Sequence, residues 1–535
     1  MLSAGGVDHG LVVGIARVAS RAQLGLLAPR VEVEVHLGGG LPTFSIVGLP
    51  ATAVKESKDR VRAALANSGF EWPAGRITVN LSPADLPKEG CRYDLPIALG
   101  ILLASSQLDV PDPKWGRCEF YGELGLAGEL KPINGVLLAA AHAAREGCAI
   151  VVPLDNVGEA RIAAPAATHG SDTLLGVCAL ARGHASPAAS GENQPRLAHA
   201  ISGASGLDLS DVRGQAVPKR ALIIAAAGGH SLLFVGPPGT GKSMLAQRLP
   251  GLLPGLDGAD ALDVAAIASV STRGFAAGDY GLRPFRAPHH TASAGAIIGG
   301  GPRARPGEVS LAHRGVLFLD ELPEFNRSVL ESLREPLESG VVAISRASLQ
   351  VEYPARFQLV AAMNPCPCGF LGEPTGNCRC APPEIARYRA RISGPLLDRI
   401  DLRVAVPAVS SEELLDEHSG PEPALTTAIA AAQVRAARGL QLARAGRLNA
   451  DLPGNEVLLR CRLDRPGRRL LAHARSKLAL SARGVHRVLR VARTIADLEL
   501  ANREMARAQE GAVAETGTLS AVHLGEALQL RRALD

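Results

Sequence analysis

The chain has 535 residues, enough for about three or four domains, and 47% of them are hydrophobic while only 20% are charged. This composition excludes a globally disordered chain. The 57 basic and 52 acidic residues leave a formal net charge of +5, which neither requires nor forbids a nucleic-acid partner.

Targeting and membrane signals are weak in this sequence. Residues 1–17 lack the basic region and the continuous apolar core of a signal peptide. The longest apolar runs, Leu95–Ala104 and Ala221–Ala227, fall well short of the roughly 20 residues that a membrane span needs. Nine cysteines are too sparse for a secreted disulfide scaffold, so free thiols or a metal site are expected. We therefore expect a soluble, cytoplasmic protein with no membrane partner.

The composition divides the chain into four ranges. Residues 1–180 predict an α/β domain, with strands at Val31–Leu37 and Arg76–Leu81 and helices at Thr52–Ser68 and Gly135–Gly147. Residues 181–204 lose all periodicity and predict a linker. Residues 205–407 alternate apolar strands with helices, as in a parallel, doubly wound sheet. Residues 408–535 have helical spacing almost throughout and predict a helical unit.

A phosphate-binding loop is the clearest local signal. Residues 231–243 read SLLFVGPPGTGKS, an apolar strand that leads into G-x-x-x-x-G-K-S and then a helix. Backbone N–H groups of such a loop converge on phosphate oxygens, Lys242 would reach the β- and γ-phosphates, and the Ser243 hydroxyl would bind Mg²⁺. The predicted ATP-binding set is Gly236, Pro237, Pro238, Gly239, Thr240, Gly241, Lys242, Ser243 and Met244.

Acidic and polar side chains follow two later apolar strands. Residues 315–321 read GVLFLDE, which places Asp320 and Glu321 at the carboxyl end of a buried strand, where ligands collect in such sheets. Asp320 suits the water-mediated Mg²⁺ contact and Glu321 suits activation of the attacking water. Asn364 ends the strand Phe357–Met363 and could hydrogen-bond that water or the γ-phosphate. Arg399, taken alone, is more typical of a surface ion pair.

Longer motifs carry a resemblance to a known family. They are VGPPGTGKS, FRAPHHTASAGAIIGGG at 285–301, PGEVSLAHRGVLFLDELPEF at 306–325, and MNPCPCG at 363–369. Together with PADLPKEGCRYDLPIALGIL at 83–102 and HRVLRVARTIADL at 486–498, they resemble the ComM/YifB family of Mg-chelatase-like AAA+ ATPases over the whole chain. The resemblance implies a Lon-protease-like α/β domain, an AAA+ parallel-sheet domain and a C-terminal helical lid. It also implies a homo-oligomeric ring, expected to be a hexamer, with ATP at the subunit interfaces.

The resemblance extends to further site residues. Asn364 looks like sensor 1, and Arg399 looks like the arginine finger that acts on the neighbour's γ-phosphate. Arg483, in the SAR at 481–483, resembles the sensor-2 arginine. Gln215 resembles the residue near adenine.

Related motors place two insertions in the ring pore. Here these would be the glycine-rich segment Leu282–Arg305 and a hairpin of Val341–Ser345 and Ser348–Tyr353 about Arg346. Cationic loops suit sequence-independent phosphate contacts, although each charge could equally be a solvated loop residue. For His289 and His290 we expect a structural or DNA-contact role before a zinc or catalytic one. The candidate DNA contacts are Arg283, Arg286, Arg303, Arg305 and Arg346.

The Lon-like domain lacks a Ser–Lys dyad. Arg92 occupies the nucleophile position in PKEGCRYD, and no lysine occurs between Lys131 and Lys219. Peptide cleavage would therefore lack both its nucleophile and its base. Cys91, next to Arg92, is expected to be a packing thiol rather than a substitute nucleophile.

Three functions compete at this point. The first is a DNA helicase or branch-migration motor acting in recombination during natural transformation, with branched or single-stranded DNA as its partner. The second is the ATPase motor of a magnesium-chelatase-like metal-insertion or protein-remodelling complex, and the third is an ATP-dependent protease. The missing dyad disfavours the protease, and the fused Lon-like domain disfavours the chelatase motor. The DNA motor is the predicted function.

Four of the nine cysteines cluster as C-x-C, nine residues, C-x-C: Cys366, Cys368, Cys378 and Cys380. Persistent disulfides are disfavoured in a reduced cytosol, and four thiolates on a short loop suit tetrahedral Zn²⁺. The spacing departs from the commoner C-x-x-C knuckle. Unligated thiols, a redox pair and an iron–sulfur cluster remain alternatives.

Overall fold

The computed structural model describes residues 14–183, 206–301, 304–346, 349–372, 378–409, 425–507 and 518–532. Backbone contacts divide the chain into two compact units: residues 1–198 with 261–280, and residues 199–260 with 281–535. The first unit includes 261–280 because polar contacts join that segment to it. The Gly135 amide donates to the Ser269 carbonyl at 3.0 Å, and the Ser269 hydroxyl donates to the buried Glu159. Most of the predicted linker, 184–204, lies outside the described residues.

A mixed seven-stranded sheet forms the first unit. Its strands, in spatial order, are Thr43–Val47, Arg76–Ser82, Arg30–Gly38, Gly14–Arg21, Cys118–Phe120, Ala149–Pro153 and Thr168–Ser171. The VEVEV alternation explains the orientation of the third strand, because Val31, Val33 and Val35 are fully buried while the intervening glutamates are not. A small antiparallel pair, Glu123–Leu124 and Leu130–Lys131, stands apart from this sheet.

Helices cover the first sheet. The predicted strands and the helix between Gly135 and Gly147 are confirmed, whereas the predicted helix Thr52–Ser68 is two helices that meet at Glu56. Asp94–Ala104 is buried on almost every side, which its sequence DLPIALGILLA permits. Gly135 and Gly147 flank a helix with φ of 78° and 70°, the left-handed conformation that favours glycine at helix ends. The helices are Thr52–Lys55, Ser57–Asn67, Asp94–Ala104, Val136–Arg145, Val157–Ala163 and Leu174–Ala181.

Five parallel strands form the central sheet of the second unit, as the sequence predicts. Their spatial order is Phe285–Arg286, Val316–Leu319, Gln358–Met363, Leu232–Val235 and Leu402–Ala405. The strand before the phosphate-binding loop is thus flanked on both sides, and its four residues are all buried. Since the strands are parallel, their carboxyl ends meet at one edge.

Short helices and two hairpins surround this sheet. The predicted hairpin is confirmed as Val341–Arg346 paired antiparallel with Leu349–Pro354, and a smaller one pairs Gly299–Gly300 with Arg305–Pro306. The helices of this unit up to the last sheet strand are Ala216–Gly228, Lys242–Leu252, Ala294–Ile298, Glu308–Leu311, Arg327–Ser332, Pro336–Ser339, Pro382–Arg389 and Gly394–Leu397. The helix Gly258–Ser269 belongs to the first unit from residue 261 onward.

The C-terminal region is helical, as predicted, and shares a core with the helices of the central sheet. Its helices are Thr427–Ala445, Gly454–Arg460, Arg465–Lys477, Ala482–Arg507 and Ala521–Gln529. Val434 and Ala437 pack in one apolar cluster with Ile224. The buried Arg438 guanidinium donates to the Ala226 carbonyl at 2.7 and 2.9 Å. Within the described residues, no helix combines the length and apolar character needed to cross a bilayer.

Candidate nucleotide site

The phosphate-binding loop leaves the central strand Leu232–Val235 and ends at a helix. Gly236 must be glycine because a Cβ there would stand 2.1 Å from the Val406 carbonyl oxygen. Gly239 and Gly241 have φ of 78° and 87°, and the space where their Cβ atoms would stand is open. The helix Lys242–Leu252 starts directly after the loop, so its free N–H groups face the same space. This open, positively polarised space fits a phosphate group.

Lys242 is a buried cation held by neutral oxygens. Its Nζ donates to the carbonyls of Gly236 and Pro237 at 2.7 and 2.6 Å and lies 3.1 Å from Asn364 Oδ1. Burial lowers the pKa of Lys242, while the charges of Asp320 and Glu321 raise it. An anionic phosphate would stabilise this ammonium better than carbonyl dipoles do.

The two predicted Mg²⁺ ligands already touch. The Ser243 hydroxyl donates to Asp320 Oδ2 at 2.6 Å, and the Glu321 amide donates to Asp320 Oδ1 at 3.0 Å. A hydroxyl and a carboxylate are the hard oxygen ligands that Mg²⁺ prefers. Ser243 and Asp320 therefore fit the metal that accompanies a nucleotide.

His290 contacts the predicted catalytic carboxylate, which the sequence alone does not reveal. Its Nδ1 lies 3.2 Å from Glu321 Oε2, and Glu321 itself adopts a left-handed backbone with φ of 52°. The rings of His289 and His290 are 4.1 Å apart, and Phe325 meets the His290 ring edge-on at 6.5 Å. The contact follows from strand order, because Phe285–Arg286 pairs directly with the strand that precedes Asp320.

Gln215 lies beside the loop as the resemblance implies. Its Nε2 donates to the Pro407 carbonyl at 2.7 Å and approaches the Thr240 carbonyl at 3.4 Å. Its Oε1 is buried and has no hydrogen-bond partner among the described residues. A buried acceptor without a donor is costly, and an adenine amino group could supply that donor.

Arg399 and Arg483 lie apart from this loop and share a carboxylate. Arg399 precedes the strand Leu402–Ala405, whereas the loop follows the parallel strand beside it. The two positions thus lie at opposite ends of the parallel strands, about 13 Å apart along the strand direction. Glu338 Oε1 lies 2.6 Å from an Arg399 Nη2 and 2.8 Å from an Arg483 Nη2. The sequence reveals no such role for Glu338.

Two of the candidate DNA contacts, Arg283 and Arg286, are paired with other groups of the same chain. Arg283 donates to the carbonyls of Pro254 and Arg314, and burial lowers its pKa to about 10. Arg286 lies in a strand of the central sheet and binds Glu308 through two contacts of 2.6 and 2.7 Å. Arg305 is half-buried in the small hairpin. Arg303 and the side chain of Arg346 lie outside the described residues.

The four clustered cysteines come together. Their sulfur atoms all lie within 4.8 Å of one another. Backbone N–H groups of Phe370 and Arg379 lower the pKa of the Cys368 thiol to about 6.

In the Lon-like region, Arg92 is buried and donates to Gln23 Oε1 at 2.7 Å and to the Asn134 carbonyl at 2.8 Å. Burial raises the pKa of Cys91 to about 11, so its thiol is protonated at neutral pH and a poor nucleophile.

Comparison with known proteins covers most of the chain. Three family models match: subunit ChlI of Mg-chelatase at 33–156, magnesium chelatase subunit ChlI at 208–414, and the ChlI C-terminal model at 424–531. The chain is 48% identical to competence protein ComM of Haemophilus influenzae, over 91% of this chain and 94% of that protein. It is 47% identical to the uncharacterised protein YifB of Escherichia coli, over the same two shares. The magnesium-chelatase 38 kDa subunit of Rhodobacter capsulatus is 28% identical over 29% of this chain and 49% of that subunit.

Proposed function

Because the chain belongs to the ComM/YifB family of Mg-chelatase-like AAA+ proteins, whose fold implies ATPase activity with ATP and Mg²⁺, we propose that it is a ring-forming DNA motor. It couples ATP hydrolysis to movement on branched or single-stranded DNA, as a helicase or branch-migration enzyme of recombination during natural transformation. The ring is proposed to be a hexamer.

The proposed ring is supported by the distance between two groups of site residues, the phosphate-binding group and the two arginines. Lys242, Ser243, Asp320 and Asn364 gather at the carboxyl edge of the central sheet, joined by the contacts described above. Arg399 and Arg483 meet at Glu338, near the opposite edge. One chain therefore does not bring the arginines to its own phosphate-binding loop. A head-to-tail ring does so repeatedly, because each chain presents its arginine edge to the loop of the next.

Each side chain then has a separate task. Lys242 and the loop amides bind the phosphates, and Mg²⁺ held by Ser243 and Asp320 would neutralise charge on them. Glu321 orients the attacking water and accepts its proton, while Asn364 fixes the geometry at the γ-phosphate. Arg399 of the neighbouring chain stabilises the charge that develops in the transition state, with Arg483 beside it.

DNA as the partner is supported by similarity and by a hairpin that is separate from the central sheet. The relative from Haemophilus influenzae is named a competence protein, and the match covers nearly its whole length. The strands Val341–Arg346 and Leu349–Pro354 form a two-stranded sheet outside the central one. A cationic hairpin tip suits phosphate contacts that ignore base sequence.

A chelatase-like motor is the second candidate, because all three matching family models carry the ChlI name. Such a motor would remodel or load a partner protein, and DNA would not change its ATP turnover. The response of turnover to DNA therefore separates the two functions.

The test compares forked, four-way and linear duplex DNA as substrates, with strand separation and ATP turnover measured together. We expect ATP-dependent separation of branched DNA, and turnover stimulated by DNA. Glu321→Gln serves as the control, since it should bind ATP and DNA but separate no strands. Turnover unaffected by every DNA, with no strand separation, would exclude the motor and favour the chelatase-like function.

A further inference from the structure

The loop that leaves the Asn364 strand carries four cysteines in a compact arrangement. Cys366 and Cys368 follow the strand Gln358–Met363, and Cys378 and Cys380 precede the helix Pro382–Arg389. The Sγ atom of Cys366 lies 3.3 Å from that of Cys368 and 3.7 Å from that of Cys378. Cys368 and Cys378 are also separated by 3.7 Å. The chain thus folds back so that its two C-x-C pairs face each other.

These separations match a four-sulfur metal site and not a disulfide. A disulfide joins two sulfurs at about 2.05 Å, and all four cysteines are free thiols. Around a tetrahedral Zn²⁺ with bonds of about 2.3 Å, neighbouring sulfurs stand about 3.8 Å apart. The observed 3.3 to 3.7 Å lies close to that edge length.

The loop also supplies the environment that sulfur ligands need. The Cys368 amide donates to Cys380 Sγ at 3.4 Å, an N–H···S contact that orients the ligand and stabilises negative charge on it. Cys366 is fully buried, and the other three are partly exposed, which leaves a route for the ion. The Arg389 side chain donates to the Pro365 carbonyl at 3.3 Å and ties the following helix to the start of the loop.

We propose that Cys366, Cys368, Cys378 and Cys380 bind one structural Zn²⁺ ion. Four thiolates fill its coordination sphere, so no position is open for water or substrate and the ion has no catalytic task. Its effect is to fix the loop, because metal binding stabilises only the folded arrangement of its ligands. This proposal is independent of the DNA motor.

The loop touches the nucleotide site, so fixing the loop also fixes part of that site. Gly369, one residue after Cys368, has φ of 90°, and a Cβ there would stand 2.7 Å from Pro238 Cδ and 3.8 Å from Asn364 Cγ. Its backbone therefore packs against both the phosphate-binding loop and the predicted sensor residue. We expect removal of the ion to lower ATP turnover indirectly, through the position of Pro238 and Asn364.

The test is metal analysis of the full chain purified without a metal-affinity column. We expect about one zinc per chain, released in proportion to thiols that react with a mercurial reagent. Replacement by Co²⁺ should give the intense visible bands of a tetrahedral all-sulfur site. Well under about 0.5 zinc per chain, with four freely reacting thiols, would overturn the proposal, as would iron with labile sulfide.

Cysteine variants assign the ion to this loop. Cys378→Ser should lose most of the bound zinc, whereas Cys91→Ser, which alters a thiol elsewhere, should keep it. Full zinc content in Cys378→Ser would overturn the assignment. If Cys378→Ser does not fold, the Co²⁺ spectrum of the unaltered chain decides, because bands of oxygen or nitrogen ligation contradict four cysteines. All of these readouts are independent of ATP turnover, so they distinguish this proposal from the proposed motor.

Discussion

Replacing Arg399 by alanine should lower ATP turnover far more than it lowers the stability of the fold. In the folded chain the guanidinium pairs with Glu338, whose side chain is 46% exposed, and donates to the Pro395 carbonyl at 2.8 Å. An ion pair with so exposed a partner contributes about 0–1 kcal/mol, and the hydrogen bond adds about 1 kcal/mol more. Arg399→Ala should therefore lower the free energy of unfolding by roughly 1–2 kcal/mol, which a folded chain tolerates.

The expected effect on turnover is much larger. An arginine finger accelerates phosphoryl transfer by about 10³–10⁵, which corresponds to roughly 4–7 kcal/mol of transition-state stabilisation. Arg399→Ala should keep its ATP affinity, because Lys242 and the loop amides are untouched, yet lose turnover by at least about 10³. Glu338→Gln is the matched control: it breaks the same ion pair but leaves the arginine, and should stay within about tenfold of the unaltered rate.

Mixed rings test whether the arginine acts on a neighbour. Arg399→Ala and Glu321→Gln chains are each inactive alone, but a site formed by Glu321 of the first and Arg399 of the second is intact. Random mixing at equal amounts makes about a quarter of the sites intact in a head-to-tail ring. Hydrolysis is measured after co-refolding or subunit exchange. A mixture that is as inactive as its components, while mass analysis shows mixed rings, would refute an arginine that acts across the interface.

Three further expectations follow. Lys242→Ala should weaken ATP binding, because it removes the ammonium that pairs with the phosphates, whereas Glu321→Gln should bind ATP and retain it. Equilibrium binding and single-turnover assays distinguish the two variants. Normal turnover in Glu321→Gln would contradict the role of Glu321. Arg346→Ala should reduce DNA-stimulated turnover more than basal turnover. The control is Arg469→Ala, which removes an exposed arginine from the helix Arg465–Lys477 and should change neither rate. Burial lowers the pKa of His313 to about 4, so it stays neutral in the fold while the unfolded chain is protonated near pH 6.5. The contribution of neutral His313 to the free energy of unfolding is therefore fully present above pH 6.5 and falls by about 2 kcal/mol towards pH 5. Denaturation of His313→Asn, measured over the same pH range, should show less of this loss.

Local signals in the sequence predict which residues meet at the carboxyl ends of the central strands. The loop at Gly236–Ser243, the carboxylates at Asp320 and Glu321, and Asn364 each follow an apolar strand, and strand order alone brings them to one edge. The cysteine cluster is also local, since its spacing already permits the fold-back seen between Cys366 and Cys378. Such features depend on residues close together in the chain.

Features set by distant packing could not be predicted in this way. The contact between His290 and Glu321 requires the pairing of two strands far apart in sequence. Glu338 meets Arg483 only because the C-terminal helices return to the central sheet. The glycine-rich segment Leu282–Arg305 predicts Arg283 as a cation available for DNA contact, yet its guanidinium donates to the carbonyl groups of Pro254 and Arg314, which are distant in sequence.

The central claim is that two chains make one nucleotide site, and ATP turnover per chain as a function of dilution tests it most directly. The rate is measured with saturating ATP and Mg²⁺, and the mass distribution is recorded at each concentration. We predict that turnover per chain falls towards zero as rings dissociate, and that it follows the fraction of chains in rings. Turnover per chain that stays constant where the protein is monomeric would contradict the shared site.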